Sequence, residues 1–344
     1  MQPTVNRQRI HLIDMIRGFA LLGLPFVNIL GLWMDNINLS GEHTDIIVQR
    51  FLFVFVEGRF FAIFSFLFGV GIYLFLSRAK EKHANYRFIF IRRMAILFVV
   101  GFIHQFFQPG EALLFYAIIG IILLPFFKFP KQWNLILGII GIIVGSIYSA
   151  KILLPFPFML LGLAFGQYRI FEKTMSYRNW WIFVTVVSFV ATIIATVYLW
   201  MQAPSLGMTS YMEDLELTEL QIDMNRAFYV FTKIALMLAP IFTIFYVSSL
   251  VIVEQFIGKL LTPLYAYGRM AFTNYLGQTV MLLLVLQFLV KDSIVSYSYA
   301  TISCAIIVFL QIIFSAIWLK YFKYGPLEWL WRCGTYGEIL PIKK

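Results

Sequence analysis

Arg17-Gly-Phe-Ala-Leu-Leu-Gly-Leu-Pro-Phe-Val-Asn28 decides the architecture: a guanidinium, then an apolar run with no strong hydrogen-bonding side chain, then a carboxamide. As a helix, the stretch sets Asn28 about three turns from Arg17. An unpaired polar group in hydrocarbon costs several kcal/mol, so both side chains must face protein or a water-filled cavity. The stretch reads as a membrane span in a bundle that holds something polar.

Working outward, the rest of the chain agrees. Of 344 residues, 61% are apolar and 13% charged, about half the charged share of a soluble domain. Apolar runs long enough to cross a bilayer recur near 18–36, 51–77, 88–107, 111–127, 133–150, 152–168, 180–201, 228–252, 269–290 and 297–319. The expectation is an all-α, polytopic transmembrane bundle of about ten spans, with residues 1–344 as one domain. Lys151 and the Pro155/Pro157 pair make 133–168 the most interrupted region. Arg7 and Arg9 precede the first span without a small-residue cleavage site, so that span reads as a retained signal anchor. Cys304 and Cys333 suggest neither a disulfide nor a metal set, and no metal is expected.

A net charge of +10 would suggest nucleic acid if it were spread over a soluble surface. It is not. With both termini cytoplasmic, 21 of the 27 lysines and arginines fall in inner segments, and only Arg50, Lys151, Arg226 and Lys291 in outer ones. That asymmetry fixes orientation. It makes anionic membrane lipid the partner of the basic excess, with no nucleic acid.

Several polar residues do not belong in lipid. Glu57-Gly58-Arg59 falls inside the second run. Residues two apart on a helix point about 200° apart, so Glu57 and Arg59 share a cavity only if the helix distorts at Gly58. They read either as ties to neighbouring helices or as a carboxylate and a cation lining a site. His104 ends the third run and Glu111 opens the fourth, on either side of Gln108-Pro109-Gly110. A tight hairpin brings them to similar depth, where a carboxylate can orient an imidazole for general-base chemistry. His43, beside Glu42 and Asp45 in the first outer loop, reads first as a solvated histidine. On the inner side Arg17, Arg92, Arg93 and Arg269 open helices. They are topology signals, and also a candidate phosphate grip, since guanidinium matches phosphate geometry. Asn274 and Gln278, one turn apart, share a face suited to interhelical hydrogen bonding. The outer loop 202–226 interleaves acidic and apolar residues as an acidic amphipathic helix would, a spacer or a lid. Near the end, Trp329 and Trp331 suit an inner aromatic belt, and Glu328 and Arg332 are spaced for a helical salt bridge.

Four blocks together resemble the bacterial YeiB-like family of polytopic membrane proteins: Asp14-Met-Ile-Arg17 through Asn28, Glu57 through Gly69, Arg92-Arg93 through His104, and Tyr267-Gly-Arg269 through Asn274. The ending Gly325-Pro-Leu-Glu-Trp-Leu-Trp-Arg332 is the most recognisable element, and the match covers nearly the whole chain. The first span is similar to that of the transmembrane acyltransferase superfamily, which includes heparan-α-glucosaminide N-acetyltransferase. Its O-acetylating branch carries a His where this chain has Asn28, which moves the chemistry away from span 1. The YeiB-like family commonly has Gly-Asp in the hairpin; Gly110-Glu111 keeps the carboxylate.

The resemblance implies a multi-pass protein of the bacterial plasma membrane that takes an acyl group from cytoplasmic acyl-CoA, with acetyl-CoA first among donors. It passes the group to a hydroxyl or amine of an envelope sugar or lipid outside. Arg17, Arg92, Arg93 and Arg269 would hold the CoA phosphates. Asn28, Asn274 and Gln278 would line the pantetheine path. His104 would be the base, oriented by Glu57 or Glu111, and Arg59 would stabilise the oxyanion. The superfamily admits homodimers. The competing expectation is a proton-coupled carrier with Glu57 titrating and helix discontinuities at Pro25 and Gly58; a scaffold or lipid sensor comes third.

Overall fold

The computed structural model describes residues 11–33, 36–38, 43–149, 151–203, 219–291 and 293–344. Arg7, Arg9, Glu42 and most of the acidic segment expected at 202–226 lie outside them. The described chain is almost entirely helical: α1 (His11–Trp33), α2 (His43–Phe55), α3 (Arg59–Lys82), α4 (Tyr86–His104), α5 (Leu113–Ile122), α6 (Lys131–Ile147), α7 (Pro155–Tyr168), α8 (Arg178–Gln202), α9 (Glu219–Ile257), α10 (Thr262–Arg269), α11 (Ala271–Val285), α12 (Tyr297–Tyr321) and α13 (Pro326–Tyr336). Two-residue strands at Ile37–Asn38 and Val295–Ser296 pair in parallel and tie the α1–α2 connection to the start of α12.

Among the described residues six segments are long and apolar enough to cross a membrane: His11–Trp33, His43–Lys82, Arg178–Gln202, Arg226–Ile257, Ala271–Val290 and Tyr297–Tyr321. Their outward faces are greasy. On α12, Ile302, Ile306, Phe309, Ile313 and Ile317 are exposed at helical spacing, and α8 exposes Phe183, Val186, Val190, Ile194 and Val197. Water would penalise such surfaces and lipid does not, so this is a multi-pass membrane protein. Of the other runs, α4 starts with Arg87, Arg92 and Arg93 in its first turns, α5 ends at Ile122, and α7 begins at Pro155 and has only 14 residues.

Between lipid-facing helices the interior is close-packed. The α3–α7 crossing shows how near the backbones come: a Cβ on Gly69 would lie 1.8 Å from the Met159 carbonyl oxygen, and one on Gly162 would lie 1.9 Å from that of Phe66. Small residues at a crossing let backbones approach, which is how helices associate without a hydrophobic drive between them.

The second run does break at Gly58, which takes φ 75 between α2 and α3. The break separates its charged neighbours. Arg59 turns inward to 0% exposure, donates to the Glu57 carbonyl and lies 4.6 Å over the Phe242 ring. Glu57 points away and pairs with Lys151 at 2.8 Å.

Candidate functional site

The site starts at the end of α4. Backbone amides of Gln105, Phe107 and Gln108 fold back onto the carbonyls of Gly101 and His104, closing the hairpin before α5. Glu111 returns to His104: its Oε2 meets Nδ1 of the imidazole, while Oε1 accepts the Leu113 N–H at 2.5 Å. Both side chains are buried, 7% and 5% exposed. From α11, Tyr275 sets its ring edge-on to the imidazole and its hydroxyl 3.4 Å from Glu111 Oε2. Thr279 places Oγ1 2.9 Å from His104 Nε2. The pairing expected from the hairpin is present, with Glu111 rather than Glu57 as the carboxylate.

A cavity of about 210 Å³ leads toward this cluster. Phe90, Met94, Leu97, Gly101 and His104 form the buried stripe of α4, and the first three line the cavity. His104 is therefore two turns beyond Leu97 on the same stripe. The α11 stripe runs from Ala271 and Tyr275, which line the cavity, to Thr279 one turn on. The cavity's opposite end is basic, lined by Arg17, Arg93, Arg269, Lys323 and Arg332. A neighbouring cavity of about 380 Å³ shares Arg17, Arg93 and Arg332 and adds Arg78 and Asp14. From Arg93 to His104 the helical rise gives about 16 Å. A cationic mouth, an apolar throat and an acid–imidazole pair thus lie in line.

The mouth is braced by the final helix. Arg93 is stacked 3.5 Å over the Trp331 ring and 4.9 Å from Phe75, and the Trp331 indole N–H donates to the Arg93 carbonyl at 3.0 Å. Trp331 is half-buried and is held against α4 by these contacts. Glu328 does not bridge to Arg332. The helix break between α10 and α11 frees the amides of Phe272 and Thr273, and Glu328 accepts both, at 2.7 and 3.1 Å, plus the Thr273 hydroxyl at 2.6 Å. Burial pushes its carboxyl above the usual carboxylate range, against those hydrogen bonds.

The remaining expected residues divide. Arg17, Arg93 and Arg269 line the mouth, but Arg92 turns to the other side of α4, where its Nε donates to the Thr335 carbonyl at 2.6 Å. Asn274 donates to the Tyr267 carbonyl at 3.1 Å and to Ser315 at 2.8 Å; Gln278 donates to the Tyr267 hydroxyl at 2.7 Å. They knit α10, α11 and α12 and do not line the cavity. Asn28 is half-buried and outside the cavity lining. Arg59, held beneath Phe242, and Glu57, held by Lys151, have partners apart from the His104 cluster. His43 is exposed, while Asp45 caps α12 by accepting the Ser298 amide at 2.9 Å. Tyr275, Thr279, Lys323 and Arg332 were not anticipated. The signal for the first two was their four-residue spacing, which places them on one face of α11.

Among the described residues no group of histidine, cysteine and carboxylate side chains is arranged to hold a metal.

Comparison with known proteins places the chain. A family described as "Protein of unknown function (DUF418)" matches residues 165–338. An uncharacterized 39.9 kDa protein from the 3′ region of an amylase in Bacillus acidopullulyticus is 42% identical, over 99% of this chain and 98% of its own length. YxaH of Bacillus subtilis (strain 168) is 26% identical over 100% and 98%, and YeiB of Escherichia coli (strain K12) is 24% identical over 93% and 94%. The chain belongs to the DUF418 family and is a homologue of YeiB and YxaH.

Proposed function

We propose that this protein is a membrane-embedded acyltransferase. It takes an acyl group from acyl-CoA on the cytoplasmic side and delivers it to a hydroxyl or amine of an envelope sugar or lipid on the outer side. One observation carries the reading: the cavity runs from an arginine-lined mouth to Tyr275 and Leu113, and the His104–Glu111 pair lies directly behind them. Phosphates suit the mouth, where Arg17, Arg93 and Arg269 present guanidinium groups. A slender pantetheine arm suits the apolar throat. At its end an imidazole steadied by a carboxylate takes the proton of an attacking hydroxyl or amine.

In this reading α4, α5, α6 and α7 cross the plasma membrane alongside the six longer segments, giving ten crossings with both termini in the cytoplasm and the basic mouth facing it. The test is acetyl-CoA binding to purified protein. Micromolar binding that falls at least about tenfold in Arg93→Ala supports the reading; no binding of any acyl-CoA refutes it. The Gly58 break, with buried Arg59 beside it, supports the carrier alternative, which predicts solute flux driven by a proton gradient in liposomes instead.

A further inference from the structure

The His104 cluster contains more than a base and its carboxylate. Glu111 faces three donors: His104 Nδ1, the Leu113 amide and the Tyr275 hydroxyl. A carboxylate in that setting is an acceptor throughout, so Nδ1 carries the imidazole proton and Nε2 holds the lone pair. The atom before that lone pair is Thr279 Oγ1, 2.9 Å away. Several threonines on other helices behave differently. Thr185, Thr232, Thr243 and Thr301 each donate to the carbonyl four residues back, the usual resting place for a helical hydroxyl. Thr279 gives its hydroxyl to an imidazole on another helix.

A carboxylate on one imidazole nitrogen and a hydroxyl on the other is the arrangement that activates a hydroxyl nucleophile. We infer that Thr279 carries the acyl group as a covalent ester between the two half-reactions, an inference that rests on the acyl-CoA reading above. In the first half-reaction Oγ1 attacks the thioester carbonyl while His104 Nε2 takes its proton. The C–S bond breaks, and CoA leaves as thiol with the proton from Nε2. In the second, the acceptor hydroxyl or amine attacks the Thr279 ester and gives its proton to Nε2. The C–O bond to Thr279 breaks, and Oγ1 recovers that proton.

The position of Thr279 gives the step a purpose. It lies one helical turn beyond Tyr275, about 6 Å further from the basic mouth. An acyl group moved onto it has left the donor side of the Tyr275 ring. Donor and acceptor then never need to meet, and the group crosses the bundle on the protein itself.

The experiment incubates the full-length protein in detergent with [1-14C]acetyl-CoA and no acceptor, quenches in acid, and counts label on the denatured chain. CoA binding is measured on the same samples. Wild type should retain hydroxylamine-sensitive label. Thr279→Val, close to isosteric, should lose at least about 100-fold of it while binding CoA normally. Thr279→Ser, which keeps a hydroxyl there, should keep the label and guards against misfolding of the valine variant. Normal CoA binding with no label on wild type overturns the inference and leaves the acyl-CoA reading standing, as does undiminished label in Thr279→Val. Absence of CoA binding to wild type overturns both.

Discussion

Glu328→Ala removes the acceptor for two amides at the start of α11 and for the Thr273 hydroxyl. Each donor left unmade away from water costs about 1–3 kcal/mol. Thr273 Oγ1 also accepts the Leu327 amide, so the hydroxyl keeps one partner. Glu328 lines the cavity, and water entering there would meet part of the demand. About 2–4 kcal/mol is therefore expected. With an unfolding entropy of about 2.1 cal/mol/K per residue, that lowers the midpoint by roughly 3–6 °C. Glu328→Gln keeps an oxygen for both amides and should stay within about 1 kcal/mol of wild type. Because burial raises the carboxyl's pKa above its unfolded value, the carboxyl's contribution is complete below the unfolded pKa and is lost as pH rises through the folded one. Wild type should thus lose stability relative to Glu328→Gln as pH rises out of the ordinary carboxylate range. Thermal unfolding in detergent across pH reads all three proteins. Equal midpoints for the alanine and glutamine variants would refute the capping role, and parallel pH curves for wild type and glutamine would refute the raised carboxyl.

The other predictions follow from neighbouring geometry. Arg93→Ala should weaken acetyl-CoA binding at least about tenfold, whereas Arg92→Ala should leave affinity unchanged and lower thermal stability through its lost contact with α13; a binding titration and a melt on each variant distinguish the two. Gly69→Val forces α3 away from Met159 and should cost about 3 kcal/mol or more, seen as loss of a monodisperse peak on size-exclusion chromatography. In a Cys304→Ser, Cys333→Ser background, impermeant maleimide applied outside should label a cysteine at Glu216 and not one at Lys82; the reverse pattern would invert the orientation.

What could be read from the sequence was local. The hairpin Gln108-Pro109-Gly110 joins His104 to Glu111 within a few residues, so their meeting required only that the chain turn back. The break at Gly58 was legible for the same reason. Long-range choices were not. Arg92 and Arg93 look equivalent in a row of letters, yet adjacent helical residues point about 100° apart, and only Arg93 faces the cavity. Glu328 and Arg332 had ideal spacing for a salt bridge, but unpaired amides at the α10–α11 break were a stronger claim on the carboxylate. Asn274 and Gln278 look like site residues because they are polar in an apolar span, and they are spent on holding three helices together. Hydropathy measures apolar length and not helix length, so the runs at 88–107 and 152–168 looked like the longer ones, although α4 carries Arg87, Arg92 and Arg93 in its first turns and α7 starts at Pro155 with only 14 residues.

The most direct test is transfer across a sealed membrane. Protein is reconstituted in liposomes with [1-14C]acetyl-CoA on the side of the basic mouth and a bacterial envelope lipid extract as acceptor on the other, and labelled extract is counted for wild type and His104→Ala. Wild type should label the extract, and His104→Ala should bind acetyl-CoA with unchanged affinity yet transfer about 10²–10⁴-fold more slowly. Transfer by His104→Ala within a few-fold of wild type, or no label on the far side with wild type, would contradict the assignment.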